Sequence, residues 1–248
     1  MKISTKKVPK HIKKQEYTAA LLAAIAAFTD TYAFLSFKMH VSFMSGNTTQ
    51  TSFSVAQANF NSMFLVALTI FSFVCGIFFG TLFSDRKSCK GITMPYAVAG
   101  SLLLVYILCT SIFSSIYFSM IVLSFAMGYM NTAVTTVGKQ AVNSDFVTGT
   151  LTNFARHLAF WANKIPIADA QGKWDTHKRR ALQLLVLWCA FLSGALLGAI
   201  ALSHLKTNTL LIPATALLLL FFAANHQIRR IQNNFKTGKH VSNSNFKL

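Results

Sequence analysis

F-M-S-G-N-T-T runs from Phe43 to Thr49, and F-V-T-G-T-L-T runs from Phe146 to Thr152. Each phrase reads aromatic, aliphatic, hydroxyl, glycine, polar, with a Thr two positions beyond the polar residue. The likeness extends outward. F-T-D-T-Y-A, with Asp30, precedes the first phrase, and G-Y-M-N-T-A, with Asn131, precedes the second. After the phrases come F-V-C-G-I-F-F-G (Phe73–Gly80) and F-L-S-G-A-L-L-G (Phe191–Gly198). Both are small-xxx-small patterns that let helices pack closely, through Gly76 and Gly80 in one and Gly194 and Gly198 in the other. The step from Gly76 to Pro95 equals the step from Gly194 to Pro213. Four features in one order predict an internal duplication. The main offset is an insertion in the second half, near 165–180.

Composition says where such a chain resides. Of 248 residues, 53% are hydrophobic and 12% charged, about half the charged share of an ordinary globular domain. Six apolar blocks approach the ~20 residues that cross a bilayer core: Thr18–Phe37, Met63–Phe83, Pro95–Phe113, Ile116–Val137, Ala181–Leu202 and the shorter Leu210–Ala224. Most lack the polar stripe of a soluble core helix.

The net charge of +17 sorts by segment. Of 23 Lys and Arg, all but Lys38 and Lys206 lie in the N-terminal tail, the loop after the second block, the long loop after the fourth, or the C-terminal tail. That alternation is the positive-inside pattern of six helices with both termini cytoplasmic. A basic nucleic-acid groove needs no such alternation, so no nucleic-acid partner is expected. Membrane lipids are the expected contact of the tails. The first apolar block is too long for a signal-peptide core and has no clean cleavage site after it. Cys75, Cys109 and Cys189 fall inside spans and Cys89 faces the cytoplasm, so neither disulfides nor a metal site is expected.

The expected fold is therefore all-α, with two three-helix repeats, each carrying a polar Gly motif after its first helix. The expected boundaries are a basic tail at 1–17, a first repeat at 18–113, a second at 116–224 with a basic loop at 138–180, and a basic tail at 225–248. Three spans per repeat is an odd number, so the halves are inverted. Inverted repeats recur in secondary transporters, with the binding site at mid-membrane. Ser45, Gly46, Asn47 and Thr48 approach from one face, and Thr148, Gly149 and Thr150 from the other. These residue types start helices, and two short helices dipping inward would aim positive N-termini at one site. Gly46 and Gly149 would admit a ligand or helix near the backbone. The plainer reading makes both phrases polar caps of interfacial helices, which the spacing of Leu151, Phe154, Leu158 and Ala162 also suits.

With these residues in place, the sequence resembles the YoaK-type family of bacterial membrane proteins, built on domain of unknown function 1275. The resemblance covers about Thr18 to Ala224 and rests on Asp30, Phe43–Thr48, Gly128–Ala133 and Phe146–Thr152. The family pattern resembles aromatic-Met-Thr-Gly-Asn and Gly-x-x-Asn-Ala; here Ser45 replaces the Thr, and Thr132 precedes the Ala. The resemblance implies about six helices in a bacterial cytoplasmic membrane and supplies no substrate.

Asp30 is the one acid inside a predicted span. A carboxylate there marks a functional site or a buried partner. It suggests proton or cation binding, against a plainer role as an interhelical hydrogen-bonding group. Asn131, its counterpart, hydrogen-bonds but does not titrate. Arg156 and His157 would face an anion or a lipid phosphate, or simply sit at the cytoplasmic interface. No Walker loop, dinucleotide glycine pattern, HExxH or CxxC pair occurs, and no mid-span His pairs with the single acid. An enzyme is not expected, and no cofactor. The reading favours a transporter or permease for an unidentified small solute or ion, coupled to protons through Asp30. A channel and a non-transporting scaffold or sensor are the alternatives. The Gly faces suit packing within a chain or between chains, so an oligomer stays open.

Overall fold

The computed structural model describes residues 7–83, 89–110, 112–113, 115–134, 136–137, 140–141 and 147–236. Eight α-helices carry it: α1 Lys10–Phe37, α2 Met44–Ala56, α3 Phe60–Phe83, α4 Cys89–Cys109, α5 Ile116–Met130, α6 Val147–Ala162, α7 His177–Leu205 and α8 Leu211–Lys236. A 3-10 turn, Lys206–Leu210, joins α7 to α8. Two-residue strands β1 (Thr136–Val137) and β2 (Gln140–Ala141) pair antiparallel between α5 and α6.

Among the described residues, three stretches are long and apolar enough to cross a bilayer: Lys10–Phe37, Phe60–Phe83 and His177–Arg230, the last holding α7 and most of α8. Thr93–Cys109 and Ile116–Met130 are shorter apolar helices. Leu22, Leu103, Tyr106, Met120, Leu123 and Leu217 are fully buried where α1, α4, α5 and α8 meet. The outside is equally apolar: Phe64, Phe71, Phe78, Leu192, Leu196 and Leu219 are each more than half exposed. Soluble proteins rarely expose contiguous apolar patches of that kind, whereas lipid tails accept them.

Glycines set the helix pairing. A Cβ on Gly76 of α3 would sit on the Phe125 carbonyl oxygen of α5, and one on Gly128 of α5 on the Phe73 carbonyl of α3. A Cβ on Gly194 of α7 would sit on the Ala24 carbonyl oxygen of α1, and one on Gly198 would lie 2.8 Å from the Phe28 carbonyl oxygen. Backbone thus touches backbone in both pairs, as small-residue helix faces allow. Residue numbers advance together along α1 and α7, and along α3 and α5, so each pair is parallel. The α4–α8 pair is antiparallel. Gly100 packs on Leu218, while Thr93, earlier in α4, meets Asn225, later in α8, at 3.1 Å between Oγ1 and Oδ1.

Several boundaries differ from the sequence expectation. The first helix starts at Lys10, inside the expected basic tail, because Ile12 finds a buried seat beside Val137 and Leu187. The last runs through Ala224 to Lys236. The fourth block stops at Met130 rather than Val137. There the Thr132 hydroxyl donates to the Tyr129 carbonyl at 2.8 Å, and the Thr132 and Ala133 amides bond three residues back, closing the helix. Hydroxyl competition for backbone acceptors is how Thr ends helices.

The expected insertion is a folded loop between α6 and α7. Arg180 grips Asp175 through two nitrogens, each at 2.8 Å, and reaches Asp169 at 3.1 Å. Burial opposes charge on Asp175, but the Arg180 contact and the Gln171 amide outweigh it and hold this carboxyl below its ordinary range. Arg179 pairs with Glu16 of α1 and stacks over Trp174. Asp145, Phe146 and Ser114 lie outside the described residues.

Candidate functional site at the connection after α1

Asp30 lies on α1, about two helical turns before its end at Phe37, or about 10 Å along the axis at 1.5 Å per residue. Only 6% of it is exposed. Residues 38–43 leave the helix end and return to it. Asp30 Oδ1 accepts from the Val41 amide at 2.9 Å, the Ser42 amide at 2.8 Å, the Phe43 amide at 3.3 Å and the Ser42 hydroxyl at 3.1 Å. Asp30 Oδ2 meets His40 Nδ1 at 2.5 Å. The chain therefore turns back along α1 before α2 begins. Turning out of α1 is done by Lys38 at φ 59, in the left-handed region.

The physical reason follows from the backbone. Met39, Val41 and Ser42 are buried, and residues 38–43 make no helix. Each unpaired buried N–H costs about 1–3 kcal/mol. A carboxylate is an acceptor at both oxygens; here Oδ1 is shared by the three consecutive amides and the hydroxyl, and Oδ2 is left for His40. Asn47, fully buried, completes the clamp. Its Oδ1 accepts from the His40 amide at 3.3 Å, and its Nδ2 donates to the His40 carbonyl at 2.7 Å. Asp30 on α1 and Asn47 on α2 thus hold opposite sides of one loop.

Gly46 has a different neighbour from the one the sequence suggests. A Cβ there would lie 2.7 Å from the Phe43 ring and 3.3 Å from the His40 ring. The close approach comes from its own connection. His40 in turn stacks on Phe34, with centroids 4.8 Å apart. Ser45 and Thr48 are exposed, and α2 begins at Met44 with no side-chain cap, so Ser45 does not serve as the N-cap. The hydroxyls of Thr48, Thr49, Thr51 and Ser52 donate instead to carbonyls one turn back, which satisfies them without water.

In the second half, Asn131 is the C-cap residue of α5, whereas α1 continues beyond Asp30. Thr150 is the buried residue of α6, at the position matching Asn47 in the phrase; Thr148 is exposed and Gly149 half-buried. Arg156 is exposed and stands apart from Asp30's contacts. Next to it, His157 Nδ1 meets His177 Nδ1 at 2.8 Å and joins α6 to the start of α7. Burial and the neighbouring His177 hold His157 below the usual imidazole range.

Sequence reasoning misses two residues of these clusters. His40 falls outside every apolar block, and His177 opens a basic run. The available signal for His40 is its place just before F-M-S-G-N-T.

An apolar-surfaced helical bundle with buried polar clamps is a helical membrane protein. The chain belongs to the family described as Protein of unknown function (DUF1275), whose model matches residues 18–223. It is also 31% identical over 222 residues to the UPF0700 transmembrane protein RA0705 of Rhizobium meliloti (strain 1021), covering 87% of this chain and 90% of that one. No solved structure matches.

Proposed function

We propose that this chain is a six-span protein of the bacterial cytoplasmic membrane, built from two inverted three-helix repeats, that carries a small solute or ion across it. The observation that carries this reading is the exchange of helix partners at constant register. Ala24 and Phe28 of α1 meet Gly194 and Gly198; Phe125 and Tyr129 of α5 meet Gly76 and Gly80. From 24 to 125 and from 28 to 129 is 101 positions, as from Asp30 to Asn131. From 76 to 194 and from 80 to 198 is 118, as from Pro95 to Pro213. Gly100 and Leu218 are themselves 118 apart and in contact, so the relating axis passes between α4 and α8. Parallel pairing of first with fifth and second with fourth spans, and antiparallel pairing of third with sixth, is what six alternating spans require. Inverted halves of this kind support alternating access.

In this reading Asp30 with His40 is the proton-handling pair. The carboxylate holds the connection, and the imidazole, a quarter exposed, is the group that trades a proton with the outside. The solute passes near the polar starts of α2 and α6, and no covalent chemistry is involved. One observation favours a scaffold instead: both oxygens of Asp30 are engaged by the connection itself.

Purified protein in liposomes separates these readings. Uptake across a panel of ions and metabolites, with and without a proton gradient, is the measurement. Gradient-dependent flux supports the carrier and gradient-independent flux a channel; no flux from folded protein supports the scaffold. His40→Gln in a carrier should abolish gradient dependence while the fold survives.

A further inference from the structure

A cavity of about 300 Å³ opens at the α1–α2 end of the bundle, between α1, α4, α5, α7 and the 3-10 turn. Its lining includes six hydroxyl side chains: Tyr32, Ser36, Tyr106, Thr110, Ser119 and Thr207. Tyr32 and Tyr106 are almost fully buried. Tyr106 Oη donates to Ser119 Oγ at 3.3 Å, and the two phenol oxygens stand 3.5 Å apart. Phe37, Phe113 and Leu202 give it an apolar wall, and Lys206 is its one charged residue.

Lys206 is unusual three times over. It has φ 50 and ψ −128, a left-handed conformation that favours glycine. Strain of this kind persists where the surroundings fix it and clusters at functional sites. It is one of only two cations outside the basic segments, against the positive-inside trend. None of the ion pairs among the described residues engages it. The cavity also breaks the internal symmetry. At offsets of 101 and 118, Tyr32 and Tyr106 correspond to Ala133 and Ala224, so the opposite end has no matching pair of phenols.

We propose that this cavity binds a small organic monoanion, a carboxylate with an apolar body, from the outer side. The Thr110 and Ser119 hydroxyls donate to the Ile107 and Ser115 carbonyls, so the carboxylate pairs with Lys206 and accepts from the Tyr32–Tyr106 phenol pair, and the body rests on Phe37, Phe113 and Leu202. The charge on Lys206 favours a carboxylate over its neutral or cationic analogue, because only the carboxylate is attracted to it. Only the side on which the mouth opens rests on the proposed orientation.

The test is equilibrium dialysis of benzoate, benzamide and benzylamine against the detergent-purified full chain, with a melting curve for each variant. Benzoate should bind at least about tenfold more tightly than either analogue. Lys206→Gly should lower benzoate affinity about tenfold or more while the melting temperature stays level or rises, since glycine relieves the backbone. Lys38→Gly, also at positive φ but outside the cavity, should leave binding unchanged. Tyr106→Phe should weaken benzoate and leave benzamide alone. Equal binding of all three probes, no benzoate binding, or full benzoate binding in Lys206→Gly would overturn the proposal. Because dialysis needs no flux, flux without benzoate binding sinks this site and spares the carrier; binding without flux does the reverse.

Discussion

At the residue scale, Asp30 is the hinge of the account, and its substitutions divide sharply. Asp30→Asn keeps one oxygen for the amides of Val41, Ser42 and Phe43 and places an NH₂ toward His40. It exchanges charge-assisted hydrogen bonds for neutral ones of roughly half the strength, a loss of about 1–2 kcal/mol. Asp30→Leu removes every acceptor and leaves the buried amides of Val41 and Ser42 and the half-buried amide of Phe43 unpaired, a destabilisation of at least about 2 kcal/mol. Melting curves should rank wild type, Asn and Leu in that order. A silent Leu variant would mean that Asp30 does not hold the connection. Gly76 and Gly194 behave alike for a packing reason. Alanine at either forces helix backbones apart and should cost about 1–3 kcal/mol, with equal effects at the two sites because the proposed duplication makes their seams equivalent. Gly46→Ala meets ring atoms instead of backbone, so it should cost less.

At the element scale, α6 depends on pH through His157. The imidazole faces His177, Arg180, Asp175 and Arg156. Its folded value lies below the unfolded 6.5, so the folded state favours the neutral ring. That contribution is complete above about pH 6.5 and declines as pH falls below it, because the unfolded chain then binds more protons. Protection of the amides of residues 147–162 from hydrogen exchange, relative to the intrinsic exchange rate at each pH, should therefore fall between pH 7 and pH 5 more than protection in α3, and His157→Gln should remove the difference. Asp175 has the opposite chemistry and the same direction. Its lowered carboxyl stabilises the loop above the ordinary aspartate range and loses that contribution as pH falls below it. The elements themselves were largely legible in the sequence. Block lengths and the Gly-xxx-Gly phrases located α3, α4, α7 and α8 to within a turn or two at most ends. Boundaries failed where a side chain decided them: the Thr132 hydroxyl closing α5, and Ile12 extending α1. The fate of Asp30 was only half legible. An intramembrane acid announces a partner, but no pattern told that its partners would be the amides of Val41, Ser42 and Phe43 in a returning connection. His40, polar and outside every span, carried no periodic signal.

At the scale of the whole molecule, the proposed architecture relates its parts by one operation. The same pairing of small residues joins α1 to α7 and α3 to α5, and the same polar phrase opens α2 and α6. Charge alternation gives the operation its direction, since ends rich in Lys and Arg favour the cytoplasmic side. A cysteine placed at Asn208, in the turn between α7 and α8, should accordingly label from outside, and one placed at Lys173 only from inside. The sharper question concerns the two phrases themselves. Ser45 and Thr148 occupy matching positions, and both side chains are exposed. In a background lacking native cysteines, Ser45→Cys and Thr148→Cys are treated with a membrane-impermeant maleimide on intact cells and on inside-out vesicles. With inverted halves, Ser45→Cys reacts in cells and Thr148→Cys in inverted vesicles, each protected in the other preparation. Labelling of both from the same face would contradict the inverted duplication.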